Sequence, residues 1–367
     1  MRKVISVILI IPFWTFAAAI VTSQERARRV APSASSSTSS QEVGEGDVVC
    51  VDTALVNVPV GVMDRQGRFI YDLRKEDFTI FENSVKQDVA FFESVESPFT
   101  VVLMLDTSSS VWKKLDLIKD AAIGFVDQLR PADRVMVLSF AHKITVHSES
   151  TNDRERLRSI IRGIGKGMST HLYDSVAKVM TKKLMQIEGR KAIVIFTDGV
   201  DESGDKMAKK TLRYAEELDA LIYTIRFDTY DARMDTIMQA QRRAASLGGI
   251  FGQLAIPVLS AGSSKTLRDM YEQGRRYLQQ LSDVTGGRYF EASRDLHDLD
   301  SSFAQIAAEL RHQYRLGYYP KIHSKTCERR LLRIRVNRSD VAVRARNSFI
   351  YVPSRNEKQE TFCKPPS

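Results

Sequence analysis

Phe99-Thr-Val-Val-Leu-Met-Leu-Asp-Thr-Ser-Ser-Ser110 reads as a buried strand that ends in a cluster of oxygen donors. A half-buried strand would alternate apolar and polar residues. The run Phe99–Leu105 is nearly continuous instead, as in parallel strands covered on both faces. Asp106, Ser108 and Ser110 follow at every second position. That set suits a hard cation, since magnesium takes about six oxygens at roughly 2.0–2.1 Å and keeps several waters, so one or two carboxylates plus hydroxyls suffice. Asp before a Ser cluster is also ordinary turn chemistry. The pentapeptide therefore needs further donors to mean more.

Two such donors stand further along. Ala192-Ile-Val-Ile-Phe-Thr197 is a second apolar strand, ending at Asp198-Gly199. Between the two strands, Gly163-Ile-Gly-Lys-Gly-Met-Ser-Thr170 is a flexible loop that leads into a helix predicted over His171–Gln186. Ligands of open α/β sheets gather outside the carboxyl ends of strands, where the strand order reverses. Asp106, Ser108, Ser110, Thr170 and Asp198 can therefore meet at one point.

This pattern resembles the von Willebrand factor A domain and its metal-ion-dependent adhesion site. The family's Asp-x-Ser-x-Ser falls on Asp106, Ser108 and Ser110, its loop threonine on Thr170, and its late aspartate on Asp198 of Phe-Thr-Asp-Gly. The resemblance implies that Asp106 and one or both serines hold Mg²⁺ directly, with Mn²⁺ or Ca²⁺ as substitutes. Thr170 and Asp198 would act directly or through water. It also implies an open coordination position that an Asp or Glu of a protein partner fills. Asp174 is expected to accept a hydrogen bond from behind the ligands or to start the helix. Asp201 and Glu202 read as solvated loop acids.

The surrounding segment, 98–318, alternates strands and helices. Leu115, Ile118, Ala122, Phe125, Val126 and Leu129 recur at helical spacing, and Val135-Met-Val-Leu-Ser-Phe140 reads as a strand. Helix Asp205–Leu218, strand Leu221–Arg226, strand Thr285–Phe290 and helix Ser301–Tyr314 follow. Such alternation implies α/β architecture with a doubly wound, mostly parallel sheet. Residues 228–266 form an insertion expected at the metal-bearing edge. It carries an amphipathic helix (Met234, Ile237, Met238, Gln241, Ala245) and the apolar stretch Ile250–Leu259. Long loops in compact domains tend to be functional or disordered.

Outside that segment the period changes to two. Val56, Val58, Val60 and Val62 alternate with Asn57, Pro59 and Gly61, and Pro59 argues for an edge strand. Strand-and-turn rhythm continues to Phe92 and returns in Leu332–Val336, Val341–Val343 and Phe349–Val352. Neither β-rich segment, 47–97 or 319–354, is large enough to stand comfortably alone. The two are expected to share one β-sandwich into which the A-type domain is inserted. Lys75-Glu-Asp-Phe78, Leu172-Tyr-Asp-Ser175, Thr285-Gly-Gly-Arg-Tyr-Phe290 and Leu316-Gly-Tyr-Tyr-Pro320 make this layout similar to exported A-domain proteins of Acidobacteria.

At the start, Arg2-Lys3 precede the apolar stretch Val4–Ile20 with Ala17-Ala18-Ala19 inside it, which reads as a signal peptide over 1–23. Residues 24–46, Ser-rich and poor in large apolar side chains, read as a disordered tether, and 355–367 as a tail. No other run approaches the roughly 20 apolar residues that span a bilayer. A secreted or periplasmic protein without stable membrane insertion is expected.

Of 367 residues, 43% are hydrophobic, ample for a core, and 27% are charged. The net charge of +9 comes from Lys and Arg scattered among Asp and Glu, without an Arg-rich helix or an aromatic RNA-binding strand, so nucleic-acid binding is not expected. Catalytic signatures are missing as well: no Gly-x-Ser-x-Gly, no His-Glu-x-x-His and no phosphate loop. The six histidines show no zinc-ligand spacing. The chain thus reads as a non-enzymatic, metal-dependent binder of a protein partner. The alternatives are a metal-dependent hydrolase using Asp106 as nucleophile, and an envelope component whose metal only stabilises the fold. Of three cysteines, Cys327 and Cys363 are the favoured disulfide, with Cys50–Cys363 next.

Overall fold

Phe99–Asp106 is buried at every position and lies in the interior of a six-stranded sheet. Continuous burial on both faces is what its unbroken apolar composition requires. The structure, a computed structural model, describes residues 55–94, 97–201, 204–246, 264–293, 295–296 and 298–353. The expected signal peptide, the Ser-rich tether, the stretch Ile250–Leu259 and the tail 355–367 lie outside the described residues.

In chain order the elements are β1 (Val56–Asp64), β2 (Phe78–Glu82), β3 (Val85–Gln87), β4 (Val89–Glu93), β5 (Phe99–Asp106), α1 (Leu115–Gln128), β6 (Arg134–Phe140), β7 (Ile144–Thr151), α2 (Arg154–Arg162), α3 (Leu172–Lys178), β8 (Arg190–Thr197), α4 (Asp205–Glu216) and β9 (Leu221–Phe227). There follow α5 (Tyr230–Ser246), α6 (Ser264–Thr285), β10 (Tyr289–Ala292), α7 (Leu299–Arg311), β11 (Gln313–Tyr318), β12 (Glu328–Val336), β13 (Val341–Arg344) and β14 (Ser348–Tyr351). The central sheet runs β10-β9-β8-β5-β6-β7, parallel except for the antiparallel edge β7. Apolar residues of α1, α2 and α7 pack on one face and those of α3, α4 and α6 on the other. From β5 the chain moves outward to β6 and β7, then returns to β8 on the opposite side of β5. The order therefore reverses between β5 and β8, and the crevice there opens at Asp106 and Asp198.

The β-rich ends interleave. β1 pairs with β11 and β13, and β11 also pairs with β4, while β12 pairs with β14 and β2. The two four-stranded sheets share one apolar cluster that includes Val58, Val60, Ile80, Tyr314, Leu316 and Leu332. The α/β domain thus sits between two segments that complete each other's sheets.

Three local expectations need correction. Gln313–Tyr318, assigned above to the A-type segment, is β11 of the sandwich. Tyr314, Leu316 and Tyr318 are all fully buried, a period-two pattern that ends the expected helix Ser301–Tyr314 at Arg311. β1 is an interior strand despite Pro59. It meets β13 only from Gly61 to Asp64, so opposite Pro59 the ladder is single-sided and the missing N–H leaves no gap. The predicted helix His171–Gln186 is α-helical only over Leu172–Lys178 and passes through π and 3₁₀ turns from Val179 to Gln186. The wider turn sets Val179 and Leu184, five residues apart, both against the core. Cys327 is engaged in a disulfide, but Cys363, its expected partner, lies outside the described residues.

Arginines tie the sandwich to the α/β domain. Arg190, at the start of β8 and 8% exposed, donates to the carbonyls of Ser97 (2.7 Å), Leu310 (2.6 Å) and Gln313 (3.1 Å). Both chain crossings between the domains thus converge on one guanidinium. Arg346, also buried, donates to Leu218 O at 2.9 Å and to Asn57 O. Replacing Arg190 by Met leaves three carbonyls without that donor in a buried junction. Arg190→Met is expected to cost about 2–4 kcal/mol in urea unfolding, because a buried acceptor stripped of a charged donor loses about 1–3 kcal/mol. A loss within error of zero would show that the junction is not held there.

Candidate metal centre

Asp106 ends β5 opposite Phe140 of β6, one residue beyond the Leu105–Phe196 pair that joins β5 to β8. The register therefore places Thr197 beside it, and Thr197 Oγ1 donates to Asp106 Oδ2 at 2.6 Å. The other carboxylate oxygen accepts Ser108 N at 2.9 Å, closing the turn that carries the serines. Ser108 Oγ and Ser110 Oγ lie 3.1 Å apart, so the two hydroxyls share one side of the turn. Asp106 and Ser108 are fully buried.

The loop before α3 rests on this turn. Gly167 N donates to Thr107 O and Ser109 N to Met168 O, each at 2.7 Å. A Cβ on Gly167 would stand 2.3 Å from Ala141 Cβ and 3.0 Å from Thr107 Oγ1, so the approach needs glycine. His171 N then donates to Ala141 O at 2.9 Å, which fixes buried Thr170 at the end of β6.

Asp198, also fully buried, follows the last residue of β8. Its Oδ1 accepts Val200 N at 3.1 Å and its Oδ2 accepts Thr229 Oγ1 at 2.7 Å. Thr229 has spent its only hydroxyl hydrogen on Asp198, so Tyr271 Oη, 2.6 Å away, is the donor to Thr229. A relay from α6 through Thr229 thus orients Asp198. The turn after Asp198 is equally constrained. Gly199 has φ of +83°, and a Cβ on Gly274 of α6 would fall 2.2 Å from Gly199 O. Tyr271 keeps its proton firmly, since burial and the charge of Asp198 both push its hydroxyl up.

The electrostatics of this pocket are one-sided. Among the described residues no Lys or Arg pairs with Asp106 or Asp198. Burial, and secondarily the charge of Asp198, push Asp106 from an ordinary value near 3.8 to about 7. Two buried carboxylates with three hydroxyls from Ser108, Ser110 and Thr170 form a hard-oxygen set that lacks only positive charge. A small divalent ion fits that donor chemistry. Among the described residues no three His, Cys, Asp or Glu side chains cluster as a metal-binding group. The centre is thus hydroxyl-rich, unlike a His or Cys zinc cage.

The five residues therefore lie on three adjoining loops at the sheet's switch point. Asp174 does not join them: its carboxylate pairs with Lys178 at 2.5 Å within α3. Asp201, read above as a solvated acid, instead accepts Tyr173 N at 3.0 Å and so braces the start of α3. The pattern-based reading missed Thr197, Thr229 and Tyr271. Thr197 stands within Phe-Thr-Asp-Gly, whereas Thr229 at the start of the insertion and Tyr271 just beyond its end carry no motif. That insertion rises at this same edge. Lys114 Nζ donates to Asp228 O at 2.9 Å, and Tyr230, Met234 and Ile237 pack against Val200, Leu267 and Tyr271.

Comparison with known proteins agrees with this fold. Residues 101–200 match the family described as von Willebrand factor type A domain. The chain carries a von Willebrand factor type A domain. The von Willebrand factor A domain-containing protein 3B of Homo sapiens is 27% identical over 157 residues, covering 41% of this chain and 11% of that protein. An uncharacterized protein of Synechocystis is 28% identical over 112 residues, 29% of this chain and 27% of that one. The match thus spans well under two thirds of either relative. The solved von Willebrand factor type A structure from Catenulispora acidiphila aligns at 11% identity with a TM-score of 0.44, over 75% of this chain and 72% of that one.

The raised Asp106 value sets a pH dependence. Between 3.8 and about 7 the folded protein holds a proton that the unfolded chain releases, so this group's contribution to stability falls as pH rises through that window. In chelator, the wild type is expected to lose melting temperature over this range more steeply than Asp106→Asn, which cannot ionise. Parallel curves for the two proteins would contradict the buried-charge reading.

Proposed function

We propose that this protein binds a protein partner through a divalent cation held by Asp106, Ser108, Ser110, Thr170 and Asp198, and that it acts by adhesion and not by catalysis. The observation that carries the reading is the pair of buried, uncompensated carboxylates beside three hydroxyls at the sheet's switch point. Mg²⁺ suits this set best, with Mn²⁺ or Ca²⁺ as alternatives. With only two formal negative charges from the protein, a bound cation stays electrophilic enough to favour an anionic ligand. An exposed Asp or Glu of a partner supplies one. The chain's own residues do the rest: Thr197 and Thr229 orient the two carboxylates, and the Gly167 loop brings Thr170 to the turn. The apolar start of the chain supports an exported protein that meets its partner outside the cytoplasm or in the envelope.

Titration calorimetry with Mg²⁺ and Mn²⁺ tests the site. Wild type is expected to bind one ion. Asp106→Ala is expected to abolish binding, and Ser109→Ala, between the two ligand serines, to retain it. Equal loss in both variants would mean that the five-residue assignment is wrong. Retention of binding in Asp106→Ala would mean that the ion sits elsewhere.

A further inference from the structure

The outward face of the sheet β14-β12-β2-β3 presents cations around a single aromatic ring. Phe78, Ile80, Leu332 and Ile334 point into the sandwich core, so the alternate residues Thr79, Phe81, Leu331, Arg333 and Arg335 point outward. Phe81 lies directly opposite Arg333 on β12 and opposite Lys86 on β3. Cross-strand partners share a face. Both Arg333 and Arg335 lie over the Phe81 ring, at 5.7 and 5.2 Å from its centroid.

Arg329, on the same face, is claimed by Glu216 of α4. The other three cations, Lys86, Arg333 and Arg335, are exposed and form no ion pair among the described residues. No outward position of β2, β3 or β12 carries a carboxylate. Like charges crowded on one sheet face are unfavourable in themselves. Beside them Leu331 is 64% exposed, a large apolar side chain at the border of the cation cluster.

We infer that this face docks on an anionic phospholipid surface. The charges its strands carry outward are all positive, with acids only at the margins, Glu216 against Arg329 and Asp88 beside Lys86, whereas an interface with a folded protein would be expected to mix both signs across its middle. Over β12, β2 and β3 it is an open sheet face, β14 being buried along its length beside α4; that open part matches a flat array of phosphates, with Arg guanidinium groups that suit phosphate geometry. The exposed Leu331 and the edge of Phe81 offer apolar contact at headgroup depth, the pairing of basic and apolar residues that peripheral membrane binders use. The docking is independent of the metal centre.

The test is co-sedimentation of the full chain with phosphatidylglycerol–phosphatidylcholine vesicles, and with phosphatidylcholine vesicles alone. The ratio of the two partition coefficients cancels contributions that ignore lipid charge. Each cation near an anionic surface adds roughly fivefold to partitioning, so Lys86→Gln/Arg333→Gln/Arg335→Gln is expected to lower the ratio roughly a hundredfold. Wild-type binding should also fall steeply with added salt. Arg333→Lys/Arg335→Lys, which keeps the charge, is expected to retain most of the ratio, and this separates lost charge from lost folding. No preference of the wild type for anionic vesicles overturns the proposal, as does an unchanged ratio in the triple variant. Binding to polyglutamate without binding to vesicles would assign the face to an acidic polypeptide instead.

Discussion

Asp106 and Asp198 are two carboxyl groups buried at the reversal point of a parallel sheet, with no cationic side chain paired to them among the described residues. Most of the α/β domain is arranged around that cost. Burial, with the charge of Asp198 added to it, raises Asp106 to about 7. Both carboxylates are nonetheless held in place by hydrogen bonds to neighbouring hydroxyls and amides. A protein that only needed stability would more simply bury apolar side chains here. The cost is intelligible where the site must receive positive charge from outside the chain.

The orientation of these acids draws on distant parts of the sequence. Thr197 fixes Asp106 from the adjoining strand, and the relay Tyr271–Thr229 fixes Asp198 from α6, across the insertion. Packing of α5 on α6 therefore bears on the geometry of an acid far away in sequence. The sandwich holds the opposite end of the sheet, through Arg190 and Arg346, and both chain crossings between the domains meet there. The edge that carries the two carboxylates and the domain junction thus lie at opposite ends of β8.

Much of this was legible in the chain itself. Continuous apolar runs gave the parallel strands, because full burial on both faces leaves no room for alternation. The five oxygen donors were legible because their strands end where an open sheet collects ligands. The sandwich was also foreseeable, since each β-rich end lacks a partner for its apolar face. What escaped was whatever depends on three-dimensional neighbours. Tyr314 could close a helix or open a strand, and only its burial against Phe78 and Phe92 decides. Pro59 disfavours an interior strand in general, yet here the second ladder starts two residues later. The sequence around Asp174 and Asp201 does not show their partners; the ion pair with Lys178 and the amide of Tyr173 set their roles.

Diffraction from crystals grown with Mn²⁺, measured for its anomalous signal, tests the central claim most directly. A single strong peak among Asp106, Ser108, Ser110, Thr170 and Asp198, within coordination distance of Asp106 and at least one serine, is the predicted result. Absence of a peak there, or a peak confined to other carboxylates, would contradict it.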